Sequence, residues 1–192
     1  MGQRLVVTVN VKGEDIAKLY YHWSAYSISA LAQTREIVNC LLDNDNEIED
    51  LRLRLIRFAE SEGGCIQGGG DSREFAAIQA MYPNEVFKTE GSRNAGLIAL
   101  TEEGMDDLEG WSEGSITIYL DDGIVWNSVF DMETIDEFNE WRGEDNSIEY
   151  FPELDIDLEE IPFNKLDEVI DALDNLNVFA FRHNDMIFSL YA

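Results

Sequence analysis

The chain has 192 residues, 40 of them acidic and 13 basic, for a formal net charge of −27. Such an excess of carboxylates repels phosphate and argues against direct binding of nucleic acid. A hydrophobic content of 45% excludes wholesale disorder and suits one large domain or two small ones.

No apolar run reaches the roughly 18 residues of a membrane span, and Met1 to Val11 lack a signal-peptide layout. Val6 stands where the myristoylation pattern needs Ser or Thr. Cys40 and Cys65 show no metal-ligand spacing and read as reduced thiols of a cytoplasmic protein.

In chain order, Arg4 to Lys12 alternates through Val7, Val9 and Val11 as a strand does. Gly13-Glu14-Asp15 turns it, and Ile16 to Trp23 returns as the second arm of a hairpin. Ser27 or Ser29 caps a helix to about Asp43, whose apolar face is Leu31, Ile37, Val38, Leu41 and Leu42. Asn46 opens a second helix to about Glu60, with Ile48, Leu51, Leu55 and Phe58 on one stripe. Arg52, Arg54 and Arg57 lie off that stripe, as a solvated face or as neighbours for internal acids. Gly63-Gly64 ends the helix. Gly68-Gly69-Gly70 reads as a flexible connector rather than a phosphate cradle, because no Lys comes after it and Asp71 occupies the anion's place. Asp71 or Ser72 caps a short helix through Phe75, Ile78 and Met81, stopped near Pro83, and Leu97 to Leu100 forms a short strand.

Gly114–Leu120 and Gly123–Phe130, joined by Asp121-Asp122-Gly123, form the clearest hairpin. Asp131 caps a helix over 132–142 with Ile135, Phe138 and Trp141 on one face. Residues 144–162 read as an acidic loop with at most one extended piece. Leu166, Val169, Ile170 and Leu173 mark a regular helix over 164–175, and a hairpin around His183-Asn184-Asp185 closes the chain. The fold expected is α+β: antiparallel hairpins with several amphipathic helices in a single compact unit.

The charge is polarised. Residues 1–98, a near-neutral ββααα half, carry a net −4, whereas residues 99–192, a ββα-αββ half, carry −23. Glu133, Asp136, Glu137 and Glu140 lie off the apolar face of one predicted helix, and Asp167, Glu168, Asp171 and Asp174 off that of the other. With Asp155 and Asp157 of the intervening loop they form the expected partner-binding surface. Helical neighbours three and four apart have Cβ atoms roughly 5–6 Å apart. Two such helices side by side approach the charge density of duplex DNA, about one charge per 1.7 Å of axis.

Other constellations are weaker. The alternating acids Asp155, Asp157, Glu159 and Asp43, Asp45, Glu47 resemble calcium donors but lack the loop glycine and twelfth-position Glu of an EF-hand. Gly110-Trp111-Ser112-Glu113-Gly114 matches a nucleophile-elbow string, but Ser115 to Leu120 beyond it reads as a strand rather than a helix. No catalytic residue, metal or cofactor is expected. Tyr20, Tyr21, His22, Trp23 and Tyr26 form a dense aromatic block, read as core packing with a lesser claim to a contact patch.

The opening Met1-Gly2-Gln3-Arg4-Leu5 together with Tyr20-Tyr21-His22-Trp23-Ser24-Ala25-Tyr26-Ser27 resembles a group of small phage and prophage proteins of Gram-positive bacteria. The match covers the first 30 or so residues and carries over no catalytic residue. The context it implies, a small acidic phage protein in a bacterial cytoplasm, resembles the DNA-mimicking anti-CRISPR and anti-restriction inhibitors. The expectation is therefore a non-enzymatic inhibitor whose partner is a basic nucleic-acid-binding protein of the host, a nuclease or CRISPR effector. The rivals are an immunity protein for a cationic nuclease toxin and a metal-dependent hydrolase.

Overall fold

The computed structural model describes residues 4–25, 27–42, 47–129, 160–172 and 174. The predicted helix over 132–142, the acids Glu133, Asp136, Glu137, Glu140, Asp155 and Asp157, and the C-terminal hairpin lie outside the described residues.

The chain is α+β, as its pattern predicts. Strand β1 (Leu5–Val11) and β2 (Glu14–Tyr21) pair antiparallel from Leu5↔Tyr21 to Val11↔Glu14. The turn is Lys12-Gly13, one residue earlier than the sequence suggests, and both residues have positive φ (54° and 80°). This is the two-residue geometry whose twist matches a hairpin, and it tolerates a Lys only at some strain.

Helices α1 (Ser27–Leu41), α2 (Ile48–Ser61) and α3 (Arg73–Met81) come next, with the two-residue strand β3 (Cys65–Ile66) between the last two. Ser72 caps α3 by accepting a hydrogen bond from the Phe75 N–H at 3.0 Å. Then come β4 (Leu97–Ala99), α4 (Glu102–Glu109), β5 (Gly114–Tyr119), β6 (Ile124–Asn127) and β7 (Glu160–Pro162). A 3-10 turn at Phe163–Lys165 leads into helix α5 (166–172).

Among the described residues, all seven strands join one sheet in the order β3-β4-β2-β1-β5-β6-β7. The sheet is mixed rather than wholly antiparallel, because β1 pairs parallel with β5 and β3 parallel with β4. The β1–β5 pair joins the near-neutral half to the acidic half. It is tied at one end by Arg4, whose guanidinium and backbone N–H both donate to the Glu113 carboxylate at 3.0 Å. At the other end the Asp121 carboxylate accepts the Lys12 N–H.

Alternation along the strands separates two faces. Leu5, Val7, Val9, Leu19, Tyr21, Ile116 and Ile118 point to the main core, where α1, α2 and α5 supply Leu31, Ile37, Leu55, Ile56, Leu166 and Val169. Val6, Tyr20, Cys65, Leu97 and Ala99 point the other way and pack with Leu108 of α4. The acidic helix α4 and the acidic helix α5 therefore lie on opposite faces of the sheet.

The arginines of α2 are neighbours for internal groups, not a free basic face. Arg52 donates to Glu14 and Glu49 and to the Ile16 carbonyl. Arg57 donates to Glu60, Glu85 and the Val86 carbonyl and lies 5.0 Å over the Phe87 ring. Arg54 donates to the Cys40 carbonyl.

Candidate functional site

Apolar spacing gives no sign of helix α4: in EEGMDDLE only Met105 and Leu108 are apolar, and Gly104 interrupts the helical run. Two devices form it. The Thr101 hydroxyl caps it by accepting the Gly104 N–H at 3.1 Å, and Glu102 and Glu103 in the first turn complement the partial positive charge of the helix N-terminus. Its apolar side sits on β2 and β4, which leaves Glu102, Glu103, Asp106, Asp107 and Glu109 exposed.

Compensation along α4 is sparse. Glu109 pairs with the ammonium of Lys18, a buried residue of β2, and Glu103 lies 3.4 Å from the Arg73 guanidinium. Among the described residues Glu102, Asp106 and Asp107 have no ion pair. They form an exposed acidic edge.

The structure also places four of the expected contact acids. Asp167, Glu168, Asp171 and Asp174 are all exposed. Two are engaged: Asp167 accepts from Arg35 of α1 at 3.0 Å, and Glu168 accepts from the Lys165 ammonium. Asp171 and Asp174 have no ion pair among the described residues. These four and the acids of α4 do not form one ribbon, since the sheet separates them.

Beside α4 an open cleft of about 1170 Å³ runs between the glycine loop, the first turns of α3 and α4, and Trp111. Small-molecule sites commonly span about 300–1,000 Å³, so the space is ample for a side chain or a short peptide. Cys65, Gln67 and Leu97 line it from the sheet.

The glycine loop is built rather than flexible. Gly68 and Gly69 have positive φ (74° and 69°), and a Cβ on Gly69 would stand 2.6 Å from the Thr89 carbonyl oxygen. Gly69, Gly70 and Ser72 donate their N–H groups to the Ile66, Thr89 and Gly69 carbonyls. These three amides are committed to holding the loop closed.

Deeper in, Glu74 is buried and its carboxylate accepts the Leu100 N–H at 2.6 Å, the Thr101 N–H at 3.0 Å and the Thr101 hydroxyl. It is a structural anchor for the start of α4. Cys65 is buried, and burial together with the nearby Glu60 pushes its thiol up, which holds it as a thiol rather than a nucleophilic thiolate.

At the cleft's far end Trp111 meets Tyr20 edge-on with ring centroids 5.5 Å apart, and the Tyr20 hydroxyl lies 2.7 Å from His22 Nδ1. The aromatic block is thus divided. Tyr20 and Tyr21 are buried, whereas Trp23 is about half exposed. Ser112 stands after a helix and before a strand, the reverse of a nucleophile elbow, and its hydroxyl donates to the Gly114 carbonyl. Among the described residues, no group of three or more His, Cys, Asp or Glu is placed to hold a metal ion, and no helix is long and apolar enough to cross a membrane.

Comparison with protein-family models, with curated proteins and with solved structures returned no match.

Proposed function

We propose that this chain is a non-enzymatic inhibitor that docks its acidic surface on the basic nucleic-acid-binding face of a bacterial nuclease, of anti-CRISPR or anti-restriction type. The observation that carries the reading is the uncompensated acidic edge of α4, set in a half of the chain with a net charge of −23. Folding so many like charges into one region costs stability through self-repulsion, and a cationic partner relieves that cost on binding. Of the first half's cations, Arg52 and Arg57 are taken up by acids of their own half, while Lys18 and Arg73 reach only Glu109 and Glu103 of α4, which leaves Glu102, Asp106 and Asp107 without an ion pair among the described residues. The resemblance of the opening residues to phage proteins supplies the biological setting.

Acids on both faces of the sheet favour occlusion of a groove by a charged body over imitation of a single duplex strand. Long-range attraction between the two charge distributions speeds encounter, and salt weakens it.

The test is capture of partners from a bacterial host extract at low and at high salt, with duplex DNA as competitor. Recovery of a nucleic-acid-binding enzyme that salt releases and DNA displaces supports the reading. A partner held equally at both salt concentrations, or indifferent to DNA, overturns it.

A further inference from the structure

We infer that the cleft between α3 and α4 is a receptor for an arginine side chain of the cationic partner. This inference rests on the inhibitor reading above and names the chemistry that would make its docking specific.

The starting point is Gln67. The residue is more than nine-tenths buried, yet its carboxamide has no hydrogen-bond partner among the described residues. Its amide atoms are not sealed from solvent, so they stay open to a ligand that enters from the cleft. Alternation from β3 sets its direction. Ile66 points into the main core, and Cys65 points to the opposite face. Gln67, two residues after Cys65, therefore points to that same face, and it lines the cleft. The amide is oriented toward open space that a ligand can fill.

The charge around that space selects the ligand. Five carboxylates line the cleft (Glu74, Glu90, Glu102, Glu103 and Asp107) against two guanidiniums, Arg73 and Arg93. Glu74 is spent on α4, which leaves four acids at the rim. Three loop amides, those of Gly69, Gly70 and Ser72, are already closed on backbone carbonyls. An anionic ligand is disfavoured and a cationic one favoured.

Arginine fits better than lysine. A planar guanidinium offers five donors in a fork, enough for the Gln67 carbonyl oxygen and the rim carboxylates together, and it stacks on an aromatic face. Trp111 supplies that face, 38% exposed and held edge-on by Tyr20. The contact between Arg73 and Glu103 shows the rim already meeting a guanidinium.

The experiment is titration of the intact chain with N-acetyl-argininamide, followed by the Gln67 side-chain amide and Trp111 indole signals in nuclear magnetic resonance spectra. Saturable shifts of both signals are expected, with N-acetyl-lysinamide at least about tenfold weaker. Gln67→Leu and, separately, the exposed Asp107→Asn should each weaken argininamide about tenfold, while Asp171→Asn with Asp174→Asn on the opposite face should leave it unchanged. Shifts that inorganic phosphate produces and argininamide does not, or no shift with either, overturn the proposal. So does equal loss from the opposite-face pair, which would reduce the effect to general attraction. Because binding is read on the chain alone, this result stands apart from partner capture. A captured nuclease whose affinity ignores Gln67→Leu removes the pocket and spares the inhibitor reading.

Discussion

The carboxylate of Glu74 accepts hydrogen bonds from both the backbone N–H and the hydroxyl of Thr101, and Thr101 in turn caps α4. One buried acid on α3 thus fixes where the acidic helix starts and how its charges face solvent. Glu74→Ala leaves the Leu100 and Thr101 donors without an acceptor in a buried setting. A loss of about 3 kcal/mol is expected, read as a lower urea midpoint, with faster amide exchange concentrated in 101–109.

Gly104 tests the same junction by volume. In a helix interior Gly→Ala ordinarily stabilises by about 1 kcal/mol. Here the added Cβ would lie 2.4 Å from Glu74 Oε2 and 3.1 Å from the Ala99 Cβ. Displacing a buried, fully engaged carboxylate outweighs the propensity gain. Gly104→Ala should therefore destabilise by about 1–3 kcal/mol in thermal or urea unfolding, opposite in sign to the propensity expectation.

Much of this architecture was legible in the chain. The valine alternation of 5–11 and the Asp121-Asp122-Gly123 turn located both hairpins, and apolar spacing located α1, α2 and α3. What escaped has physical causes. Helix α4 carries too few apolar residues for periodicity, so it is held by its cap and by its anchor at Glu74, which precedes Thr101 by 27 residues. Strand β3 is two residues long, and the parallel β1–β5 pair joins segments more than a hundred residues apart, a register that no local pattern encodes. Gly68-Gly69-Gly70 read as flexible because composition does not reveal that Thr89 closes over it. Of the site, the acidity was visible and its distribution over two faces was not. Gln67 carried no signal at all, since its meaning comes only from where the fold sets it, beside the cleft and without a side-chain partner.

Lys18 and Glu109 should respond asymmetrically. The Lys18 side chain is only 8% exposed, whereas that of Glu109 is 65% exposed. Glu109→Gln strands a buried ammonium and is expected to cost about 1–2 kcal/mol, discounted for the solvent reaching the pair. Lys18→Met removes the buried charge and should cost less, or nothing. Urea unfolding of both single variants and the double variant measures the difference.

The Arg4–Glu113 clamp makes a pH prediction. The hydrogen bonds from Arg4 hold the Glu113 carboxyl below its ordinary value of 4.5. A group whose folded value is depressed stabilises the fold above its unfolded value, and that contribution is lost as pH falls through the folded value. Wild-type stability should therefore decline below about pH 4.5 more steeply than that of Glu113→Gln, with the two curves separating above it. A carboxyl titration read from carbon resonance shifts should show Glu113 titrating below the ordinary glutamate value of 4.5.

The most direct measurement of the central claim is the salt dependence of affinity for the captured nuclease, compared between the wild-type chain and a variant with Glu102→Gln, Glu103→Gln, Asp106→Asn and Asp107→Asn. A charge-complementary interface predicts at least about a tenfold loss of affinity at low salt and a shallower dependence on salt concentration. Unchanged affinity with an unchanged salt slope would contradict it.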